Sequence, residues 1–463
     1  MVKVSIISLG CPRNQLDSEV IAGSLKKRGF SICDAEDGVW ACIVNTCAFI
    51  QSAREESIEK ILEASRLKKE GKVKYLIVCG CLPQLYKERL ADALHEADLV
   101  LGTADFPKIP DLLKNIGKLK ARSVISPDPN YLYDEYSPRI AFTPPHYAYL
   151  KISEGCSNFC SYCIISRLRG AFRSRSINSI LEEAKRLAKP GTLKEIDLIG
   201  QDTTLFGIDR YGKAMFAEML KRLCGLKDSV RWIRIMYTHP AHYSDELISV
   251  IRGEKKICKY LDLPIQHISD NILKKMNRHV AKKDIIELIS ALRKAIPGLA
   301  LRTSIIVGFP GETDKDFKEL LEFVRCEKFE RLGAFTYSRE DGTRASRFEN
   351  QIPQEVKSQR FDELMGLQQK ISSGINRSFI GKTVDVLIDE KLPTTPNHSL
   401  RSGSGRAHNA PRSTLYEFIG RTQYDAPEID GAVRVSGKNI KVGEFYKVLI
   451  KDSLEYDLVG DKV

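Results

Sequence analysis

From Tyr147 onward the chain repeats one unit six times: a short apolar run that reads as a strand, followed by a stretch with helical periodicity. The runs are YAYLKIS, EIDLIGQD, VRWIRIMY, YLDLPIQ, LRTSIIVGF and RLGAFTYS, separated by helical stretches such as Ser179 to Ala188 and Lys282 to Ala295. Six strand-helix units with one topology predict a partial parallel barrel. The chemistry of such a barrel lies at the carboxyl ends of its strands.

The loop after the first of these strands reads EGCSNFCSYC, which places Cys156, Cys160 and Cys163 in a CxxxCxxC pattern. Three thiolates can hold three irons of a four-iron cluster and leave the fourth iron open. An open iron that binds the amino and carboxylate groups of S-adenosylmethionine and passes it one electron starts radical chemistry. A zinc knuckle is the alternative, but structural zinc is closed by four ligands, and no fourth Cys or His follows at close spacing.

Three more cysteines each end a short apolar run upstream: VSIISLGC at Cys11, ACIVNTC at Cys47 and YLIVCGC at Cys81. Their spacings of 36 and 34 residues are those of consecutive strand-helix units, with helices expected over Asn14 to Arg28 and Ala53 to Lys69. Loops at the carboxyl ends of strands in an open α/β sheet converge on one crevice, so the three thiols can meet in a second site. Three buried structural cysteines would show the same spacing. Cys79 forms a CxC with Cys81 and reads as a strand residue, with Gly80 ending the strand. Cys33, Cys42, Cys224, Cys258 and Cys326 have no partner at ligand spacing and read as small apolar fillers.

At 463 residues the chain has room for two or three domains. No apolar run approaches the length of a membrane span, and the N-terminus opens directly into a strand. Twelve cysteines, six of them in the two triads, fit a reducing cytoplasm better than a disulfide scaffold. The net charge is +12, yet residues 381–463 hold 12 basic and 12 acidic residues, so all of the excess belongs to the first 380. A linker rich in proline (Pro127, Pro129, Pro138, Pro144, Pro145) marks a boundary. The expected domains are 1–120, an open α/β domain; 121–142, the linker; 143–380, the partial barrel; and 381–463, a small antiparallel β-barrel. Within the last, 391–415 reads as a disordered basic insertion with four basic and no acidic residues.

These motifs are similar, over essentially the whole chain, to the radical S-adenosylmethionine methylthiotransferases. The stretches that carry the resemblance are SLGCPRNQLDSE around Cys11, YLKISEGCSNFCSYCII, YLDLPIQHIS at Gln266 and His267, FTYSREDGTRA from Tyr337's neighbourhood to Ala345, and IGRTQYDAPEIDG ending at Gly431. The resemblance implies two four-iron clusters, an auxiliary one on Cys11, Cys47 and Cys81 and a radical one on Cys156, Cys160 and Cys163, together with S-adenosylmethionine. It is strongest to the branch that places a methylthio group on the β-carbon of an aspartate in the twelfth small-subunit ribosomal protein. The tRNA-modifying branch would show a CQMN-type motif after its first cysteine and a more basic terminal TRAM barrel without DAPEIDG. A zinc-bearing RNA-binding protein is a third reading. The partners implied are the ribosomal protein, free or on the assembled subunit, and an electron-donor protein, with no membrane and the chain acting as a monomer.

The resemblance also points to S-adenosylmethionine contacts. Tyr162 matches an aromatic position over the adenine, and Gln201 and Asp202 end a strand where related barrels offer polar groups to the amino acid end. Arg234 could pair with the carboxylate through its planar fork. Gly308, in GFPGET, lets the backbone approach a ligand closely. His267 has no second histidine nearby and reads as a packing residue. The acidic run Asp425, Glu428 and Asp430 is expected to face a lysine-rich loop of the substrate protein.

Overall fold

The structure is a computed structural model of the chain, described for residues 2–34, 38–226, 229–392 and 417–463. The first sheet contains β1 (Val2–Ser8), β2 (Phe30–Cys33), β3 (Val39–Thr46), β4 (Val73–Gly80), β5 (Leu99–Leu101) and β6 (Ser123–Val124). They run in the order β2-β1-β3-β4-β5-β6 with every pairing parallel. Helices Pro12–Lys27 and Gln51–Lys69 make the crossovers. The first opens with proline, whose missing N–H costs nothing in the first helical turn. It buries Leu16, Val20, Ile21 and Leu25 against the sheet.

After an irregular connection the chain forms β7 (Tyr147–Lys151), then β8 (Ser153–Glu154) and β9 (Arg173–Ser174), a short antiparallel pair beside the CxxxCxxC loop. β10 (Glu195–Ile199), β11 (Trp232–Ile235), β12 (Ile257–Asp262), β13 (Ala300–Val307) and β14 (Arg331–Thr336) complete the second sheet. Its order, β14-β13-β12-β11-β10-β7, is sequential and parallel, so the six runs read from the sequence are its six strands. Alternation along each strand separates two environments. Ile196, Leu198, Ile233 and Ile235 face the covering helices, whereas Glu195, Asp197 and Arg234 are buried on the inner side, where Tyr149, Trp232 and Tyr260 also pack.

The connection between the sheets is pinned rather than loose. A Cβ on Gly23 would stand 2.4 Å from the backbone of Pro138 and Arg139, so only glycine lets the chain lie on that helix. Arg139 there donates to Glu19 of the first domain (2.5 Å) and Glu183 of the second (3.1 Å), all three buried.

Helix Gln354–Arg377 leads to a closed barrel of β15 (Thr383–Lys391), β16 (Phe418–Arg421), β17 (Val433–Ser436), β18 (Phe445–Ser453) and β19 (Leu458–Lys462), in the order β15-β16-β17-β19-β18. It is mixed, not antiparallel throughout as the sequence suggested: β17 and β19 pair in parallel. A ring with an odd number of strands cannot alternate direction all the way round, so one parallel pair is forced. The insertion at 391–415 lies outside the described residues except for Lys391 and Leu392. No helix among the described residues is long and apolar enough to cross a membrane.

The acidic turn also differs from expectation. Residues 422–430 enter the amino-terminal mouth of the second sheet. Arg331 donates to Asp425 (2.9 Å), Tyr147 to Glu428 (2.7 Å) and Tyr260 to Asp430 (2.7 Å), and Arg302 lies 3.3 Å from Asp430. The carboxylates of Asp425 and Asp430 are therefore internal plugs and not a surface for substrate, while Glu428, bonded to Tyr147, stays exposed. The count of charges was right; burial, which a local count does not register, decides their role.

Candidate metal centres and their shared crevice

The CxxxCxxC loop begins where β8 meets Gly155, whose φ of +78° turns the chain; a Cβ there would lie 2.1 Å from the Ala171 carbonyl oxygen. Cys156 N–H donates to the Gly170 carbonyl (3.2 Å) and Cys163 N–H to that of Cys160 (3.1 Å). Ser161 donates to the carbonyls of Met276 (2.9 Å) and Lys275 (2.7 Å), and Asn277 to that of Phe159 (3.0 Å). Phe159 holds a left-handed φ of +49°, a conformation a non-glycine residue adopts only when its surroundings impose it. The loop is thus preset before anything binds. Arg278 Nη1 lies 3.6 Å from Cys160 Sγ, and the Ile165 N–H 3.5 Å from Cys163 Sγ.

The other triad follows from strand order. β1, β3 and β4 are neighbours, and Cys11, Cys47 and Cys81 stand at or just past their carboxyl ends. Gly10 (φ +86°) permits the closest approach: a Cβ on it would be 2.6 Å from Cys47 Cβ and 2.8 Å from Cys47 Sγ. Asn14 and Asn45 lace the ends together, Asn14 donating to the Leu9 carbonyl (2.7 Å) and Asn45 to that of Asn14 (2.9 Å). Cys79 packs on the opposite face of the sheet, with Ile43 and Ile77, while Cys81 clusters with Val44 and Leu82.

None of the twelve cysteines is in a disulfide. Burial, with the neighbouring Cys81 and Cys11 sulfurs, pushes Cys47 up to about 12; burial and Cys160 push Cys163 to about 12, and burial takes Cys156 to about 11. Burial also pushes Cys11 up, but the Arg13 guanidinium beside it wins and holds it below the ordinary thiol range. Thiols buried together in this way ionise readily only when a cation replaces their protons. Among the described residues, the three-ligand group with ligating atoms within 4.8 Å of one another is Asp202, His239 and His242, and neither cysteine triad is so tight.

Arg13 lies near both triads, its charge acting on Cys11 and on Cys163. Arg13, from the first domain, donates to the Gly200 carbonyl at the end of β10 (2.9 Å) and stacks 4.3 Å over Tyr237 past the end of β11. In the other direction Arg169 reaches Cys81 Sγ (3.5 Å). Lys151 donates to Asp17 (2.6 Å) and Glu154 (2.7 Å), closing a buried ionic group between the domains.

Asp202 lies beside the CxxxCxxC loop, accepting from Asn158 (2.7 Å) and Thr204 (2.6 Å) and bonded to His242 Nδ1 (2.9 Å). Burial pushes its pKa up, but the His242 bond and charge outweigh this and hold it low. His239 stacks on His242, is held neutral by burial with its pKa near 2, and keeps a buried Nε2 without a partner. Gln201 donates to Glu154, leaving its own buried Oε1 unpaired. Tyr162 packs among Ile272, Met276, Phe309 and Tyr337, next to the loop.

Two expected contacts belong elsewhere. Arg234 is wholly buried near the amino-terminal mouth, donating to Glu195 (2.8 Å) and to the Gln423 carbonyl (2.8 Å) of the plugging turn. Its guanidinium is thereby committed away from the carboxyl-end crevice. Gly308 (φ +70°) makes room for Lys357, whose Cγ would be 2.3 Å from an added Cβ; it serves side-chain packing. Conversely, Arg13, Asn14, Arg169, Arg278, His239 and His242 were not singled out from the sequence. Arg13 and Asn14 sit inside the SLGCPRNQLDSE stretch and could have been; Arg169 and Arg278 have no local signal.

Residues 150–324 match the radical SAM superfamily, residues 3–102 the uncharacterized protein family UPF0004, and residues 412–463 the TRAM domain. The chain is 46% identical over 462 residues to the ribosomal protein uS12 methylthiotransferase RimO of Clostridioides difficile, covering 100% of this chain and 99% of that protein. The proteins of the same name from Geotalea uraniireducens and Heliobacterium modesticaldum are 45% and 43% identical, over 100% of this chain and 98% and 95% of theirs. Among solved structures, the radical S-adenosylmethionine methyltransferase TsrM of Kitasatospora setae shares the fold at a TM-score of 0.55 and 14% identity, covering 72% of this chain and 73% of that one.

Proposed function

The chain belongs to the RimO family of radical S-adenosylmethionine methylthiotransferases, and from that premise we propose that it places a methylthio group on the β-carbon of an aspartate in ribosomal protein uS12. In this reading Cys156, Cys160 and Cys163 hold the four-iron cluster that binds S-adenosylmethionine, and Cys11, Cys47 and Cys81 hold a second one. When bound, the first supplies the electron that opens the sulfonium of S-adenosylmethionine and the second supplies the sulfur that is methylated and transferred. The observation that carries the reading is that Arg13 and Arg169 each cross from one domain to the other, Arg13 near both Cys11 and Cys163 and Arg169 at Cys81.

The chain's own groups then have definite work. The carboxylate of Asp202, held low beside the loop, would accept from the cofactor's ammonium group; His242 and Asn158 fix its orientation. Neutral His239 offers Nε2 without adding a charge there. Tyr162 gives the adenine an apolar neighbour, and the unpaired Oε1 of Gln201 can accept one more hydrogen bond. Arg13, stacked over Tyr237 beside the loop, would help to keep water from the reacting groups. The substrate domain is a protein; the electron donor is a separate protein that reaches the loop from outside.

Substituting each triad separately tests the division. With Cys156, Cys160 and Cys163 replaced by Ala, the protein should keep about half its iron and lose all reductive cleavage of S-adenosylmethionine. With Cys11, Cys47 and Cys81 replaced, cleavage to deoxyadenosine should persist and uS12 should gain no methylthio group by mass spectrometry. Cys79→Ala serves as the control and should retain both. Cleavage by the first variant, or methylthiolated tRNA in place of uS12, would overturn the proposal.

A further inference from the structure

Arg169 ends the single-turn helix Ile165–Arg169, which begins two residues after Cys163, and Gly170 (φ +76°) turns the chain away immediately after it. The arginine is therefore tethered to the radical triad. Its head nevertheless lies in the first domain: Nη2 reaches Cys81 Sγ (3.5 Å) and Asn14 Oδ1 (3.1 Å), and Nη1 donates to Asp17. Glu154 stands 3.7 Å from the same guanidinium, and Lys151 bridges Asp17 and Glu154 from the other side. Arg169 and Lys151 balance Asp17 and Glu154, so this buried group is neutral before any thiolate is counted. Both carboxylates are also held from elsewhere, since Lys151 donates to Asp17 Oδ1 and Glu154 Oε2 and Gln201 to Glu154 Oε1, while Asp17 Oδ2 takes Arg169.

We infer that Arg169 is a positioning residue for the second metal centre, supplied from the radical domain, which holds Cys81 by its sulfur and sets the reduction potential of the cluster bound there. This rests on the reading of Cys11, Cys47 and Cys81 as cluster ligands. A donor to a ligating sulfur, and the positive charge it carries, favour the more negative reduced state and so raise the potential. The donor lies 88 residues further along the chain, outside the first domain. A purely structural ion pair with Asp17 would tie the domains together without moving the potential, and that separates the two roles.

The experiment uses the full chain carrying Cys156→Ala, Cys160→Ala and Cys163→Ala, reconstituted with iron and sulfide, so that one cluster of about four irons remains. Its midpoint is read by electron paramagnetic resonance during a redox titration, with Arg169 intact, with Arg169→Gln and with Arg169→Lys. Arg169→Gln should keep the iron and move the midpoint to a more negative potential. Arg169→Lys, which keeps the charge but not the fork, should move it in the same direction by less. Should Arg169→Gln fail to hold iron, the lysine variant alone decides. Iron retained with an unmoved midpoint in the variants that load overturns the inference. A parent that binds no iron overturns instead the assignment of the triad.

Discussion

Replacing Arg421 with Met should undock the terminal barrel. Arg421 donates to Glu195 (2.8 Å) and, through Nε and Nη2, to Asp389 (2.8 and 3.0 Å), and it lies 5.3 Å over the ring of Tyr147. Glu195 also receives Arg234. Burial and the neighbouring Glu195 push the Asp197 carboxyl well above the usual carboxylate range, so the two arginines are set chiefly against Glu195 and Asp389. Methionine preserves the apolar stem but leaves one buried negative charge unmatched. Breaking one side of a buried pair costs about 3–5 kcal/mol, against under about 1 kcal/mol for an exposed one. At about 1.4 kcal/mol per tenfold, the docking equilibrium should fall by about two to three and a half powers of ten. Trp232 reports it, because its ring meets Phe445 of β18 edge-on at 4.6 Å, and the chain's other tryptophan, Trp40, can be replaced by Phe. In urea, the Trp232 fluorescence transition of Arg421→Met should move to lower concentration and separate from the loss of helical circular dichroism. Coincident, unmoved transitions would show that the network contributes nothing net and refute the argument.

Gly10→Ala should expel the second cluster while sparing the fold of the radical domain, since the new Cβ has no room beside Cys47 and the position needs a left-handed φ; iron analysis should show about half the parent content. Wholly buried His267 has its pKa lowered to about 3 by burial, which Asp316 opposes. The unfolded chain takes up that proton below about pH 6.5, and the folded one does so only near 3. The stability this group contributes is therefore full above about 6.5 and is lost as pH falls toward 3, by about 2 kcal/mol between 6.5 and 5. His267→Asn, whose Oδ1 can accept the Ser269 N–H now bonded to Nδ1 at 3.0 Å, should flatten that part of the profile of urea midpoint against pH; an equal slope would count against it.

Most of the second sheet was legible because its strands are contiguous apolar runs whose hydrophobicity needs no partner to be recognised, and helix Lys282–Ala295 matches its periodic stretch residue for residue. The six cysteines were legible for a related reason: each ends a strand or sits at short spacing, so sequence order already implies proximity. What escaped were features made by long-range meeting. Arg234 looked like a strand-end fork for a ligand, but its partners are 39 and 189 residues away. Arg169 stood unremarked in a five-residue helix, because nothing near it in the chain reveals that Cys81 lies opposite. The parallel pairing of β17 with β19 likewise has no local cue; only closing the ring reveals it.

The plugging turn also bears on the order in which the chain comes off the ribosome. Tyr147 opens the first strand of the second sheet, and its hydroxyl finds its acceptor, Glu428, 281 residues later. Glu195 waits 226 residues for Arg421, and Arg234 189 for the Gln423 carbonyl. A nascent chain that has finished its six parallel strands still carries an unfinished ionic floor, open to water, until nearly the last residues emerge. The radical domain is thus the first large sheet to be synthesised after the linker but among the last to be sealed, and a chain that terminates early presents charged, half-solvated strand ends to the cell's proteases.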